Sequence, residues 1–130
     1  MERRKEGSIV LSVVSLQGLN RGGEMNEKVK RILTEVKKYL IESFGDKIRQ
    51  VILYGSYARG DYNKDSDIDI LIVVSDEANP VEVEESLNDL LFEILLNENE
   101  LCSVRAIPEK LFKEYNSPFL LNVKKEGVVI

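Results

Sequence analysis

Residues 67–74 read DIDILIVV, and no other stretch restricts the fold so tightly. Five of the eight are β-branched, a composition that suits a pleated sheet better than a helix. As a strand, period-two geometry sends Ile68, Ile70, Ile72 and Val74 to one face, and Asp67, Asp69, Leu71 and Val73 to the other. The two carboxylates therefore share a face, about 7 Å apart along the strand.

The neighbouring segments supply partners for that strand. From residue 25 to 44 the apolar positions Val29, Ile32, Leu33, Val36, Tyr39, Leu40 and Phe44 recur at three and four, the mark of an amphipathic helix, which Gly45 and Asp46 stop. Residues 48–54, IRQVILY, form a strand that runs directly into Gly55, and a polar loop follows over 58–66. Asn79 and Pro80 start a second core helix whose stripe is Val83, Leu87, Leu90, Leu91, Ile94 and Leu95, continuing toward Leu96.

Residues 101–107, LCSVRAI, give a third strand with Ser103 and Arg105 on one face and Cys102, Val104 and Ala106 on the other. Pro108 opens a short helix. A closing helix has Ser117 as cap, Pro118 at its first position and Gly127 past its end. This order predicts an α/β (α+β) fold, a small mixed sheet with helices packed on one face and the other face open to a substrate. Gly55, Ser56, Asp67 and Asp69 then meet at one edge of the open face.

At 130 residues the chain suffices for one core, expected over 25–130. Residues 1–24 read as an amino-terminal arm or extra strand. The run RGGEM, residues 21–25, can be encoded by purine-rich codons, so Met25 is a candidate native start. The apolar IVLSVVSL, residues 9–16, is too short for a bilayer and lacks a small-residue cleavage site, so a cytoplasmic chain without a membrane span is expected. A net charge of −5 argues against holding nucleic acid by broad phosphate neutralisation. With no histidine and the single Cys102, any metal must be a hard, oxygen-liganded ion such as Mg²⁺ or Mn²⁺.

Two like charges on one strand face repel unless something positive lies between them. A divalent cation supplies that charge, and Mg²⁺ completes its shell with waters and substrate phosphates. Asp67 and Asp69 are the candidate metal ligands and catalytic pair. The Gly-Ser turn complements them: Gly55 lets backbone approach a phosphate, and the amides of Gly55 and Ser56 with the Ser56 hydroxyl can donate to its oxygens. Arg59 adds a permanent cation within reach of a triphosphate. Tyr54, Tyr57 and Tyr62 flank the turn, available either to stack on a base or to pack at the strand end.

The run GSYARGDYNKDSDIDILIVV resembles the signature of the nucleotidyltransferase superfamily that includes DNA polymerase β, and most resembles its minimal nucleotidyltransferase (MNT) branch. The matching positions are Gly55, Ser56, Ala58, Arg59, Gly60, Ser66, Asp67, Ile68, Asp69 and Ile70. The resemblance implies Mg²⁺- or Mn²⁺-dependent transfer of a nucleoside monophosphate, AMP from ATP or another NTP, to a hydroxyl acceptor. It further implies an antitoxin paired with a small all-helical HEPN-type toxin; nucleic acid is not an expected partner, and oligomers are compatible. One departure stands out: the family's third carboxylate should fall at Ser103 or Arg105, neither of which is acidic, and Glu98 or Glu100 would serve only if the strand began earlier. The alternative is a catalytically weakened relative that keeps the fold and acts by contact with a partner.

Overall fold

The computed structural model describes residues 27–130. The expectations for residues 1–24, and for a helix start and native start at Met25, lie outside the described residues. The elements in chain order are α1 (Glu27–Phe44), β1 (Ile48–Tyr54), α2 (Ser56–Arg59), β2 (Ile68–Val74), α3 (Pro80–Ser86), α4 (Asn88–Glu98), β3 (Cys102–Pro108), α5 (Glu109–Glu114), α6 (Pro118–Glu126) and β4 (Val128–Val129). A 3-10 turn, Gly45–Lys47, joins α1 to β1.

The sheet has four strands in the order β3-β2-β1-β4 and is mixed, as the element order predicts. β2 runs antiparallel to β1 and parallel to β3, while β4 lies antiparallel against the other side of β1. Period two holds along β2: Ile68, Ile70, Ile72 and Val74 enter the main core with Val29, Ile32, Leu33, Val36 and Leu40 of α1. Leu71 and Val73 point the other way, into a second cluster with Ile52, Leu120 and Val123. The face expected to be open is thus partly covered, by α6 and the flank of α5, because its apolar residues need a lid as well.

The second core helix is two helices. Ser86 Oγ donates to the Val83 carbonyl at 2.8 Å, and the Tyr39 hydroxyl donates to the Ser86 carbonyl at 2.8 Å. Back-bonding of this kind bends a helix, and the carbonyl that should continue the ladder is held by α1 instead. Past the break at Leu87, Ile94 is buried, but Leu95 and Leu96 are 37% and 66% exposed, so they fall outside the predicted core stripe.

The caps lie where the sequence puts them. Asn79 Oδ1 accepts from the amides of Val81 and Glu82, and Ser117 Oγ accepts from Leu120. Gly127 does more than close α6. Its φ of −70° suits any residue, yet a Cβ there would lie 2.5 Å from the Val123 carbonyl and 2.6 Å from Ile52 Cγ2. Only glycine lets the chain turn this tightly from α6 onto β1, where Ile130 N–H donates to the Val51 carbonyl at 2.9 Å. The buried Lys37 ammonium closes the end by donating to the Ile130 carbonyl at 2.7 Å.

The outer edge of β3 is held by α3, whose Glu84 carboxylate accepts from the Ala106 amide at 2.7 Å. Cys102 is buried at the start of this strand, and burial, Glu100 and Asp67 push its thiol up to about 12. Among the described residues no helix is long and apolar enough to cross a membrane.

Ile70 is fully buried under α1, and Leu96 touches solvent. Ile70→Ala should lower the unfolding free energy by about 2–5 kcal/mol, whereas Leu96→Ala should change it by less than about 0.5 kcal/mol; urea titrations followed by circular dichroism measure both.

Candidate functional site

β1 delivers the chain to Gly55, and the antiparallel register sets Tyr54 opposite Asp69. Gly55 adopts φ 80° and ψ −156°, outside the range open to ordinary L residues, and starts the single turn α2. Its carbonyl accepts from Ala58 at 3.1 Å and from Arg59 at 3.0 Å. A Cβ at Gly55 would collide with Oδ2 of Asp69. The turn and the carboxylate are therefore in contact, although fourteen positions separate them in the chain.

Between them, the loop is shaped by its own polar groups. Asp65 N–H donates to Asn63 Oδ1 at 2.8 Å and Asn63 N–H donates to Ser66 Oγ at 3.0 Å, which lets the chain reverse without regular structure. Ile68 N–H then donates to the Leu101 carbonyl at 2.9 Å, locking the entry to β2 beside β3. Asp67 stands one residue before β2, exposed, and Asp69 is half-buried on the face shared with Leu71 and Val73. Burial and the nearby Asp67 charge raise the Asp69 pKa above the ordinary carboxylate value, with Arg59 opposing. Two neighbouring carboxylates of like charge are the oxygen donors that a hard divalent cation balances, with the remaining coordination left to water and phosphate. Among the described residues no group of three His, Cys, Asp or Glu side chains is arranged around a common metal position.

Arg59 is at the site but committed. Its Nε lies 3.2 Å from Asp61 Oδ2 and its Nη1 lies 3.5 Å from Glu126 Oε1 on α6. Reaching a phosphate means leaving these exposed pairs, which solvent screens and which hold the side chain only weakly. The tyrosines are used in packing. Tyr57 is buried and stacks on Tyr62 with centroids 4.3 Å apart, and Tyr54 meets Phe119 in a T-shaped pair with centroids 5.3 Å apart.

The parallel register sets Ser103 beside Asp69 and Arg105 beside Leu71, so the row expected to carry a third carboxylate holds a hydroxyl and a guanidinium. Glu98 and Glu100 do not replace it. β3 begins only at Cys102, and both glutamates are drawn to α1: Arg31 pairs with Glu98 at 3.2 Å and Lys28 with Glu100 at 3.1 Å. Sequence reasoning missed Phe119 and Glu126. Both lie on α6, and the only advance signal was that a closing helix had to pack somewhere on the sheet.

Residues 29–127 match the nucleotidyltransferase domain family. MJ0604 of Methanocaldococcus jannaschii, a candidate protein adenylyltransferase, is 37% identical over 107 residues, covering 82% of this chain and 99% of its own. Protein adenylyltransferase MntA of Thermococcus cleftensis is 41% identical over 68 residues, 50% of this chain and 67% of its own. Among solved structures, a toxin–antitoxin crystallised with AMP-PNP superposes with a TM-score of 0.49 at 17% identity, over 73% of this chain and 69% of that one.

Because the folded Asp69 pKa is raised, the native state holds this proton more tightly than the unfolded chain does. Stability therefore falls as pH rises from about 4 through the folded pKa. In metal-free buffer, the melting temperature of Asp69→Asn relative to the parent should grow more positive from pH 4 to pH 7. A difference that is flat with pH would contradict the assignment. Gly55→Ala, strained by its positive φ and by the Asp69 carboxylate, should lose more than about 1 kcal/mol of stability in urea unfolding.

Proposed function

The chain belongs to the nucleotidyltransferase domain family, and on that premise we propose that it transfers AMP from ATP to a hydroxyl on a partner protein, with Gly55, Ser56, Asp67 and Asp69 as its site. The observation that carries this reading is the contact between Gly55 and the Asp69 carboxylate. In this reading the contact joins the turn that would cradle a phosphate to the carboxylates that would hold a cation. The protein acceptor is supported by the relatives named as protein adenylyltransferases. Residues 25–130 are read as the single domain that carries the activity.

In the reaction the acceptor oxygen bonds to the α-phosphorus, the bond from that phosphorus to the β-bridging oxygen breaks, and pyrophosphate leaves with the hydroxyl proton released. Asp67 and Asp69 would hold Mg²⁺ or Mn²⁺, whose charge stabilises the oxygens around the phosphorus in transfer. The chain's own part is orientation. Gly55 lets the backbone pass close against the Asp69 carboxylate, the Gly55 and Ser56 amides with the Ser56 hydroxyl donate to phosphate oxygens, and Arg59, once free of Asp61 and Glu126, adds its charge to the same end. Tyr54 and Phe119 pack together on the sheet side, beside Asp69.

The partner in this reading is a small helical protein of the HEPN type, with this chain as the antitoxin that modifies it. A second reading is favoured by one observation, the Ser103 and Arg105 row where a third carboxylate would help: a weakened enzyme that neutralises its partner by contact alone.

One experiment separates the two. Purified protein with Mg²⁺, α-labelled ATP and the product of the adjacent gene should place label on that product. Asp69→Asn should reduce the rate by at least about 100-fold while keeping the parental circular dichroism. Nucleotide binding without transfer to any protein would leave the contact reading standing, and unchanged transfer by Asp69→Asn would sink the assigned site.

A further inference from the structure

Two arginines stand near the carboxylate pair, and they differ in what they have left to give. Arg59 is paired twice. Arg105 is exposed, its guanidinium carbon lies 5.1 Å from the Phe119 ring centroid, and among the described residues it takes part in no ion pair or side-chain hydrogen bond. Stacking on an aromatic face leaves the N–H edges of a guanidinium free for an anion and fixes its plane. Phe119 is itself packed T-shaped against Tyr54 with ring centroids 5.3 Å apart, and Tyr54 pairs with Asp69 in the sheet. The cation is thus mounted on a rigid row that ends at the candidate site.

The position of that row decides which substrate it serves. Gly55 and Ser56 lie at the end of β1, on one side of Asp69, and Arg105 lies on β3, on the other. The register places it one strand across and two residues along from Asp69, an α-carbon separation of about 8 Å from sheet spacings. A triphosphate seated over the Gly-Ser turn approaches from the β1 side, so the group that enters over β3 is the acceptor. We propose that Arg105 is an acceptor-binding residue, holding a carboxylate next to the hydroxyl to be modified, so that the preferred acceptor is a protein hydroxyl with an acidic neighbour. This rests on the transferase reading of the site. It also accounts for a cation where another carboxylate would otherwise sit, since that side of the site then binds substrate charge.

The test uses the full chain and two synthetic peptides that carry the same Ser and Tyr, flanked by Glu in one and by Gln in the other. With Mg²⁺ and AMP-PNP present, the parent should bind the Glu peptide about tenfold more tightly. Arg105→Gln should erase that preference, and Arg105→Lys should keep part of it. Where label transfer from ATP is measured, the loss in Arg105→Gln should fall on the KM for the Glu peptide with kcat little changed, and ATP affinity should stay at the parental value.

Three results would overturn the proposal: equal binding of both peptides by the parent, an undiminished Glu preference in Arg105→Gln, or a matching loss of ATP affinity, which would give the guanidinium to the nucleotide. Failure of the transferase reading has a different signature. The Glu preference would be present and Arg105-dependent, with no label transferred to either peptide.

Discussion

The antiparallel pairing of β1 with β2 is the constraint on which the site depends. Its register puts Tyr54 opposite Asp69, so the residue after Tyr54 must pass the carboxylate at contact distance. Glycine is required there twice over, once for its positive φ and once for the space that the carboxylate fills. A slip of one residue would turn Asp69 into the main core and Ile70 out of it. The apolar residues on both faces of β2 prevent that slip, since Ile68, Ile70 and Ile72 are committed to α1 and Leu71 and Val73 to α6. Ordinary core packing thereby holds the geometry of the polar edge.

Charge around that edge is distributed unevenly, with a physical consequence for each group. Asp69 holds its proton more strongly than a free carboxylate, first because it is half-buried and then because the Asp67 charge lies beside it. Arg59 offsets part of this effect from α2, but shares its charge with Asp61 and Glu126. Farther along the sheet, Arg105 rests on Phe119. Positive and negative groups therefore alternate along the surface of the site, which suits a transfer between two substrates that both carry charge.

Local signals were legible where the chain's own periodicity carries the information. The D-x-D strand, the Gly-Ser turn, the caps at Asn79 and Ser117 and the faces of β3 all follow from short-range rules, and the bounds of β1 agree to the residue. What escaped depends on partners distant in sequence. The break at Leu87 joins a local cause, the Ser86 hydroxyl that back-bonds to Val83, to a distant one, the Tyr39 hydroxyl on α1 that captures the Ser86 carbonyl. β4 is two residues long, too short to show alternation, and exists because β1 has an edge to offer. Leu95 and Leu96 continue the helical spacing, but the helix has changed direction before it reaches them. At the site, Arg59 read as a phosphate ligand; its pair with Asp61 lies within two residues, but the one with Glu126 arises only once α6 has packed.

The glutamate that α3 extends to β3 has a further effect. An outermost strand offers a row of amides to any extended chain that meets it, and sheets grow from molecule to molecule by that route. Here the Ala106 amide already donates to Glu84, Pro108 has no amide to give, and on the far side β4 supplies only two residues of ladder. Among the described residues, these features shorten the run of amides that either border offers. The most apolar strand, β2 with its ILIVV run, lies between β1 and β3 and is paired on both sides, so its backbone is already committed within the sheet.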